Sequence, residues 1–364
     1  MPISVLVYKK ASHLLVGMQV YKPHAGGFDR EEKVMNRRNI LKAGVALGAA
    51  YATGFAGAAL AQSSQRLRVA NFYATEHSMN RALRDVFVPR LEALSDSALT
   101  ASIHDNSSLG AEGELTEGLR LGTIEMGITG GLLSASRPRL AVLELPFLFR
   151  DFDHAWAVFD SDIGDDLATE FEAEGIKVLA WVGNGFRAIS NSVRPLNSVD
   201  DMAGLRLRMP ENRVYIETGR ALGFNVVTMP FSEIFNALSQ GVVDAQDNPP
   251  PTVLASRWFE VQDHLAITNH IFSYGAISVN KSLYDQMPAD QQAALQEAAT
   301  EFAIAQRQML EADSDAVVAE LEGHGMQITR PDIAELQAAT ENVRNSIAAD
   351  VPGGVELLER IAAL

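Results

Sequence analysis

Two arginines, Arg187 and Arg208, are the residues of this chain best placed to do chemistry. Each lies at the edge of an apolar run: Arg187 closes Asn184-Gly185-Phe186-Arg187, and Arg208 belongs to Leu205–Met209, with Pro210 directly behind it. A guanidinium on a rigid strand can bond a planar carboxylate through two parallel N–H groups, which a lysine ammonium cannot do. With a period of two, Arg206 and Arg208 share one face, which leaves one for solvent and the other to point past the strand end into a cleft. Taken singly, either arginine also reads as a surface ion pair.

Other chemistries find less support. His77, His104, His154, His264, His270 and His324 show no HExxH or similar metal spacing, and each reads as structural. The sequence has no GxSxG elbow, no phosphate-binding P-loop and no GxGxxG opening a helix after a strand, so neither a catalytic set nor a cofactor is expected. Zero cysteines excludes disulfides, thiolate metal sites and cysteine nucleophiles. The pairs Asp165-Asp166 and Asp200-Asp201 fall at expected helix starts, where carboxylates cap and favour the dipole.

The elements that must position these residues follow from the pattern. Strands are expected at 66–73, 99–104, 125–129 and 177–182, between helices at 79–94 (bent at Pro89), 112–121, 154–159 and 165–174. The alternation restarts with strands at 186–191, 205–209, 225–228 and 242–245, and helices at 212–222 and 232–240. Such alternation implies mostly parallel sheets with helices on both faces, and two units in series suggest two lobes. Further strands are expected at 264–268 and 272–279. From Pro288 to Glu322 no glycine or proline interrupts an Ala/Gln/Glu-rich run, which predicts one helix of about 50 Å, long enough to bridge both lobes. Two outer helices complete 332–364.

The first sixty residues stand apart. From Met35, MNRRNILKAGVALGAAYATGFAGAALAQ has a charged start at Arg37, Arg38 and Lys42, a weakly apolar Ala/Gly-rich run, and Ala59-Leu60-Ala61 as a small-residue cleavage pattern. It reads as an export signal of the twin-arginine type cut near Ala61, with residues 1–34 an upstream extension. An N-terminal membrane anchor is the alternative, although the Gly-rich segment makes a poor spanning helix. Without residues 1–61 the chain loses eight basic and three acidic residues, which leaves 22 and 43 and a net charge of −21. That surface disfavours nucleic acid as a partner, and it requires an anionic ligand to be held by a local basic pocket.

The motifs together carry a resemblance. NGFR from Asn184, MAGLRLRMPENRVY from Met202, ALGFNVVTMPFSEIFNALSQGVVDAQDNP from Ala221 and FEVQDHLAITNH from Phe259 resemble the signature run of the DctP family. These are the solute-binding proteins of TRAP (tripartite ATP-independent periplasmic) transporters, and the likeness extends to LPFLF at Leu145 and MPADQQ at Met287. The resemblance implies a two-lobed α/β fold of the type II periplasmic-binding-protein kind, with central mixed sheets flanked by helices and a long lobe-spanning helix. Lobe I would take 62–183 with part of 273–311, and lobe II 184–272 with 312–364. It implies a receptor, not an enzyme, that closes on a small organic anion in the periplasm and delivers it to a small and a large membrane subunit.

By the same resemblance Arg208 matches the arginine that pairs with the ligand carboxylate, Arg187 a second cleft arginine, Phe231 the aromatic packed on the ligand, and Asn248 a hydrogen-bonding asparagine. Glu211, Glu76 and His77 fall where the family varies with ligand, and with Asn184 they are expected to set the far end of the ligand. Ala245 stands where the family has a glycine, and Pro250-Pro251 extend the turn after Asn248. An arginine anchor with acidic residues opposite favours sugar acids such as uronates, then C4-dicarboxylates. A periplasmic enzyme exported folded, or a receptor of an ABC importer, are the competing readings.

Overall fold

The computed structural model describes residues 64–364, so the export signal and upstream extension expected from the sequence lie outside the described residues. Eleven strands form two mixed sheets. The first joins β1 (Gln65–Ala70), β2 (Leu99–His104), β3 (Met126–Thr129), β4 (Ile176–Phe186) and β10 (Phe272–Asn280) in the order β2-β1-β3-β10-β4. The second joins β5 (Ala188–Asn191), β6 (Arg206–Met209), β7 (Asn225–Thr228), β8 (Ala245–Asn248), β9 (His264–Ala266) and β11 (Gln327–Thr329) in the order β11-β9-β5-β8-β6-β7.

The β-helix-β stretches pair in parallel, as the alternation requires: β1 with β2 and β3, β6 with β7 and β8. The expectation of mostly parallel sheets fails at the strands that carry the chain from one sheet to the other. β10 runs antiparallel to β3 and β4, and β5 antiparallel to β8 and β9. Strand 242–245 is also shifted: Val242 stays outside, and the strand is the polar Ala-Gln-Asp-Asn of β8, all four residues buried.

The packing is continuous across the two sheets: one cluster joins Trp181, Phe272 and Tyr274 of the first to Ile189, Leu207 and Ala245 of the second. Leu67, Phe87, Leu91, Ile277 and Phe302 are among the residues of the core beside β1 and β10. Trp258, Leu265, Val317 and Leu321 pack under β9. The helix expected at 79–94 forms as Ser78–Ala82 and Val88–Leu94 around a wider π turn, Leu83–Phe87. The long helix runs Ala289–Gly323 with Pro288 as its N-cap, packing on β4 early and reaching β11 late. Helices Ile333–Asp350 and Gly354–Ala362 close the chain. No described helix is long and apolar enough to cross a membrane.

Candidate functional site

The carboxyl ends of β6 and β8, the crossover between β4 and β5, and the loop after β3 converge on a cavity between the two sheets. It brings together Arg187, Arg208, Asn184, Asn248 and Phe231 of the residues expected from sequence.

Arg208 is 3% exposed. Its Nε and Nη2 donate to the carbonyl of Met229 at 3.0 and 2.6 Å, a group left free where β7 ends before Pro230. The remaining N–H groups of its fork have no protein acceptor, and among the described residues no carboxylate forms an ion pair with it. Burial, with the nearby charge of Arg187, pulls its pKa down to about 10 despite Asp247 and Glu112. It is a desolvated cation without a counter-ion.

Arg187 differs. Lying where the chain passes from β4 to β5, it donates from Nε to Asp247 Oδ2 at 2.6 Å, from Nη2 to Oδ1 at 2.9 Å and to the Asp247 carbonyl, and from Nη1 to Ser273 at 2.7 Å. Tyr215 lies under the guanidinium, 4.8 Å from ring centre to Cζ. Burial works against both charges, but each outweighs it for the other: the Asp247 carboxylate is held below its usual range and Arg187 above. His270 adds a contact to Asp247 at 3.4 Å. The two arginines therefore differ: Arg187 is already neutralised by Asp247, and Arg208 has no ion-pair partner among the described residues.

Asn248 donates to Gln246 at 2.8 Å and keeps its remaining amide groups toward the cavity wall. Pro250 and Pro251 start the helix Pro250–Ala255, so the extended turn leaves Asn248 in place. Phe231 lies 5.2 Å from Phe72 and 5.4 Å from Trp258, a ring at the cavity edge.

Asn184 reaches the wall through a bulge. Ser273 pairs with Gly185 and Tyr274 with Gly183, so Asn184 has no partner in β10. The flanking glycines make this fold: Gly185 has φ +106°, and a Cβ on Gly183 would stand 2.6 Å from Trp156. Ser273 and Tyr274, neighbours on one strand, both border the cavity there.

Three expected residues lie elsewhere. His77 stands behind the wall as the cap of helix Ser78–Ala82: its Nδ1 accepts from Met79 N, so Nε2 carries the proton and faces Asn184 at 3.0 Å. Burial holds the ring neutral, with a pKa near 4. Glu76, just before that cap, turns outward with its side chain 77% exposed, 4.0 Å from Arg84. Glu211 is exposed in an outer groove that also touches Arg208 and Phe231.

The acids that do face the cavity are Glu112 and Glu144. Glu112 starts helix Glu112–Leu121, half-buried. Glu144 ends the 3-10 turn Pro138–Glu144 and is 2% exposed. Burial raises Glu112 to about 7 against the pull of both arginines, and Glu144 to about 8, where Asn212 opposes the rise and Glu112 adds to it. Beside them lie Tyr215 and Tyr274, the Tyr274 hydroxyl without any partner. Glu144 carried a signal in the sequence: one acid inside the apolar run from Leu140 to Phe149. Glu112 carried none, because an acid in a first helical turn is ordinary. The cavity thus combines one guanidinium that has no ion-pair partner among the described residues with nearby carboxyls and hydroxyls that can both donate and accept.

Comparison with known proteins gives the family. A profile of the family described as bacterial extracellular solute-binding protein, family 7 (DctP), matches residues 69–350. A solute-binding protein of Verminephrobacter eiseniae is 36% identical over 285 residues, 78% of this chain and 84% of that one. The 2,3-diketo-L-gulonate-binding periplasmic protein of Escherichia coli is 33% identical over 74% of this chain and 84% of its own. A TRAP periplasmic solute-binding protein of Polaromonas bound to D-erythronate superposes with a TM-score of 0.80, at 31% identity, over 83% of this chain and 99% of that one. The chain belongs to the DctP family of TRAP periplasmic solute-binding proteins, a family of receptors and not of enzymes.

Proposed function

We propose that this TRAP solute receptor takes a sugar acid, such as a uronate or an aldonate, with its carboxylate on Arg208 and its hydroxyl-bearing end toward Glu112 and Glu144. The observation that carries the reading is the buried guanidinium of Arg208, whose free N–H groups border the cavity with no protein carboxylate to meet them. Charge-assisted bonds there are about twice as strong as neutral ones, enough for a selective anchor. Asn248 and Phe231 would flank the carboxylate, and Arg187 would offer at most the N–H left over from its pairing with Asp247. A C4-dicarboxylate suits the cavity less well, because its second carboxylate would be held only while Glu112 and Glu144 keep their protons, whereas a hydroxyl can donate to or accept from them in either state. The relatives named for 2,3-diketo-L-gulonate and seen with D-erythronate handle polyhydroxylated acids of this kind.

The halves built on the two sheets would act as lobes that close on the ligand and present it to a small and a large membrane subunit in the periplasm. Export would follow the twin-arginine route with cleavage near Ala61. Replacing both Arg37 and Arg38 by lysine should retain the precursor in the cytoplasm, and export of that variant at the normal level would exclude the route. For the ligand, a thermal-shift screen of uronates, aldonates and dicarboxylates is decisive: a ligand at one hundred times its Kd stabilises by about 2.7 kcal/mol. The reading fails if dicarboxylates shift the melting temperature and sugar acids do not.

A further inference from the structure

Asn212 joins the two halves at the far end of the cavity. It caps helix Arg213–Ala221, its Oδ1 accepting from Val214 N at 2.9 Å, and that helix packs beside β6 and β7 of the second sheet. Its Nδ2 points the other way, to Glu144 Oε2 at 2.6 Å, Gly131 O at 3.1 Å and Ser134 Oγ at 3.1 Å, all on the connections after β3 of the first sheet. Asn212 and Glu144 are 5% and 2% exposed, so the contact is dry. The opposite side of the same carboxyl is equally constrained: a Cβ on Gly131 would stand 1.7 Å from Glu144 Oε1.

We infer that Asn212 is a positioning residue that clasps the cleft shut, and that Glu144 both receives the clasp and borders the ligand. The hydrogen bond across the cavity is local and short, and it exists only when the halves meet. Because one carboxyl serves closure and faces the ligand, a ligand that competes for Oε2 or displaces Glu144 opens the clasp, whereas one that bonds Glu144 from the cavity side holds it. The hydroxyl pattern at the far end thereby sets how long the closed form lasts, while Arg208 sets whether an acid enters at all. The inference rests on the sugar-acid reading for its choice of probe.

The chain has no cysteine, so labels can be placed at will. Ala93→Cys on helix Val88–Leu94 and Gln240→Cys beyond helix Ile234–Ser239 are exposed positions in the two halves. Energy transfer between them reports closure, and stopped-flow with L-gulonate and D-glucuronate reports association and dissociation. Asn212→Ser keeps a helix cap but cannot reach Glu144, and Glu144→Ala removes the receiver. Each should deplete the closed population of the ligand-free protein and raise the dissociation rate about ten-fold with little change in association. Glu144→Gln retains an acceptor and should restore closure while changing the ranking of the two acids. The double variant Asn212→Ser/Glu144→Ala should be no faster to release than either single one. Additive effects, a ligand-free wild type with no closed population for Asn212→Ser to deplete, or an unchanged dissociation rate would overturn the clasp. If neither acid binds the wild type, the sugar-acid reading falls, and the ligand-free distributions still decide for or against the clasp.

Discussion

Exchanging each arginine for glutamine separates two roles that look alike in sequence. In Arg208→Gln the ligand loses its cation. Two charge-assisted hydrogen bonds at about 1.5–3 kcal/mol each amount to roughly 3–6 kcal/mol, or a rise in Kd of about a hundred- to ten-thousand-fold. The ligand-free protein should not suffer, because Arg208 carries its charge at a cost: burial brings its pKa down to about 10, which places an upper bound of about 3 kcal/mol on what neutral glutamine relieves. In Arg187→Gln the balance reverses. Asp247, fully buried, loses the partner that holds it ionised, and breaking a buried pair costs about 3–5 kcal/mol. For a protein of this size that is a fall in Tm of roughly 10 °C. Scanning calorimetry without ligand and titration calorimetry with the best sugar acid give both quantities. The reasoning is refuted if Arg208→Gln binds within ten-fold of wild type, or if the two variants melt together.

Three further outcomes follow from the cavity. The folded protein keeps the Glu144 proton to about pH 8, whereas an unfolded chain releases it near 4.5, so stability falls as pH rises through that window, by at most about 1.4 kcal/mol per unit; Glu144→Gln removes the slope, and its Tm relative to wild type should climb between pH 5 and 8. His77 works oppositely, losing stability as pH falls from 6.5 toward 4, so His77→Gln should flatten the acid side of the melting profile. Gly131→Ala forces Glu144 off Asn212 and should cost about 1–3 kcal/mol in calorimetry together with weaker ligand binding; a neutral result would show that the loop after β3 yields freely.

The readable part of the site was the part built from strands. Arg187, Arg208 and Asn248 sit on or beside β4, β6 and β8, where order along the chain becomes order across a sheet. Glu112, Glu144, Tyr215 and Tyr274 come from a helix start, a 3-10 turn, a helix face and a bulged strand, and only the folded chain places them together. Glu76 and Glu211 came from positions where the family varies with ligand, but neither had an apolar neighbour pattern to bury it. The strand Ala245–Asn248 was obscured because its polar side chains are satisfied by one another: Gln246 by Ser190, Asn248 by Gln246, and Asp247 by Arg187. Hydropathy cannot register such pairing. The antiparallel crossovers were equally hidden, since nothing local in Phe272–Asn280 records that its neighbours are β3 and β4.

The chain passes between the sheets three times: from β4 to β5, from β9 to β10, and along the helix Ala289–Gly323 to β11. Two of these are short extended segments, but the third is a rod with one end seated on β4 and the other near β11. If the halves part as proposed, that rod bends or one end unseats, so its stiffness would contribute to the free-energy difference between open and shut. Observed affinity is the intrinsic affinity scaled by the fraction of receptor that is competent to bind. Substitutions along the rod, remote from the cavity, would therefore multiply the affinity by one common factor for all ligands that leave the Asn212–Glu144 contact in the same state. The helix would thus set how readily the halves meet, and the cavity which acid holds them together.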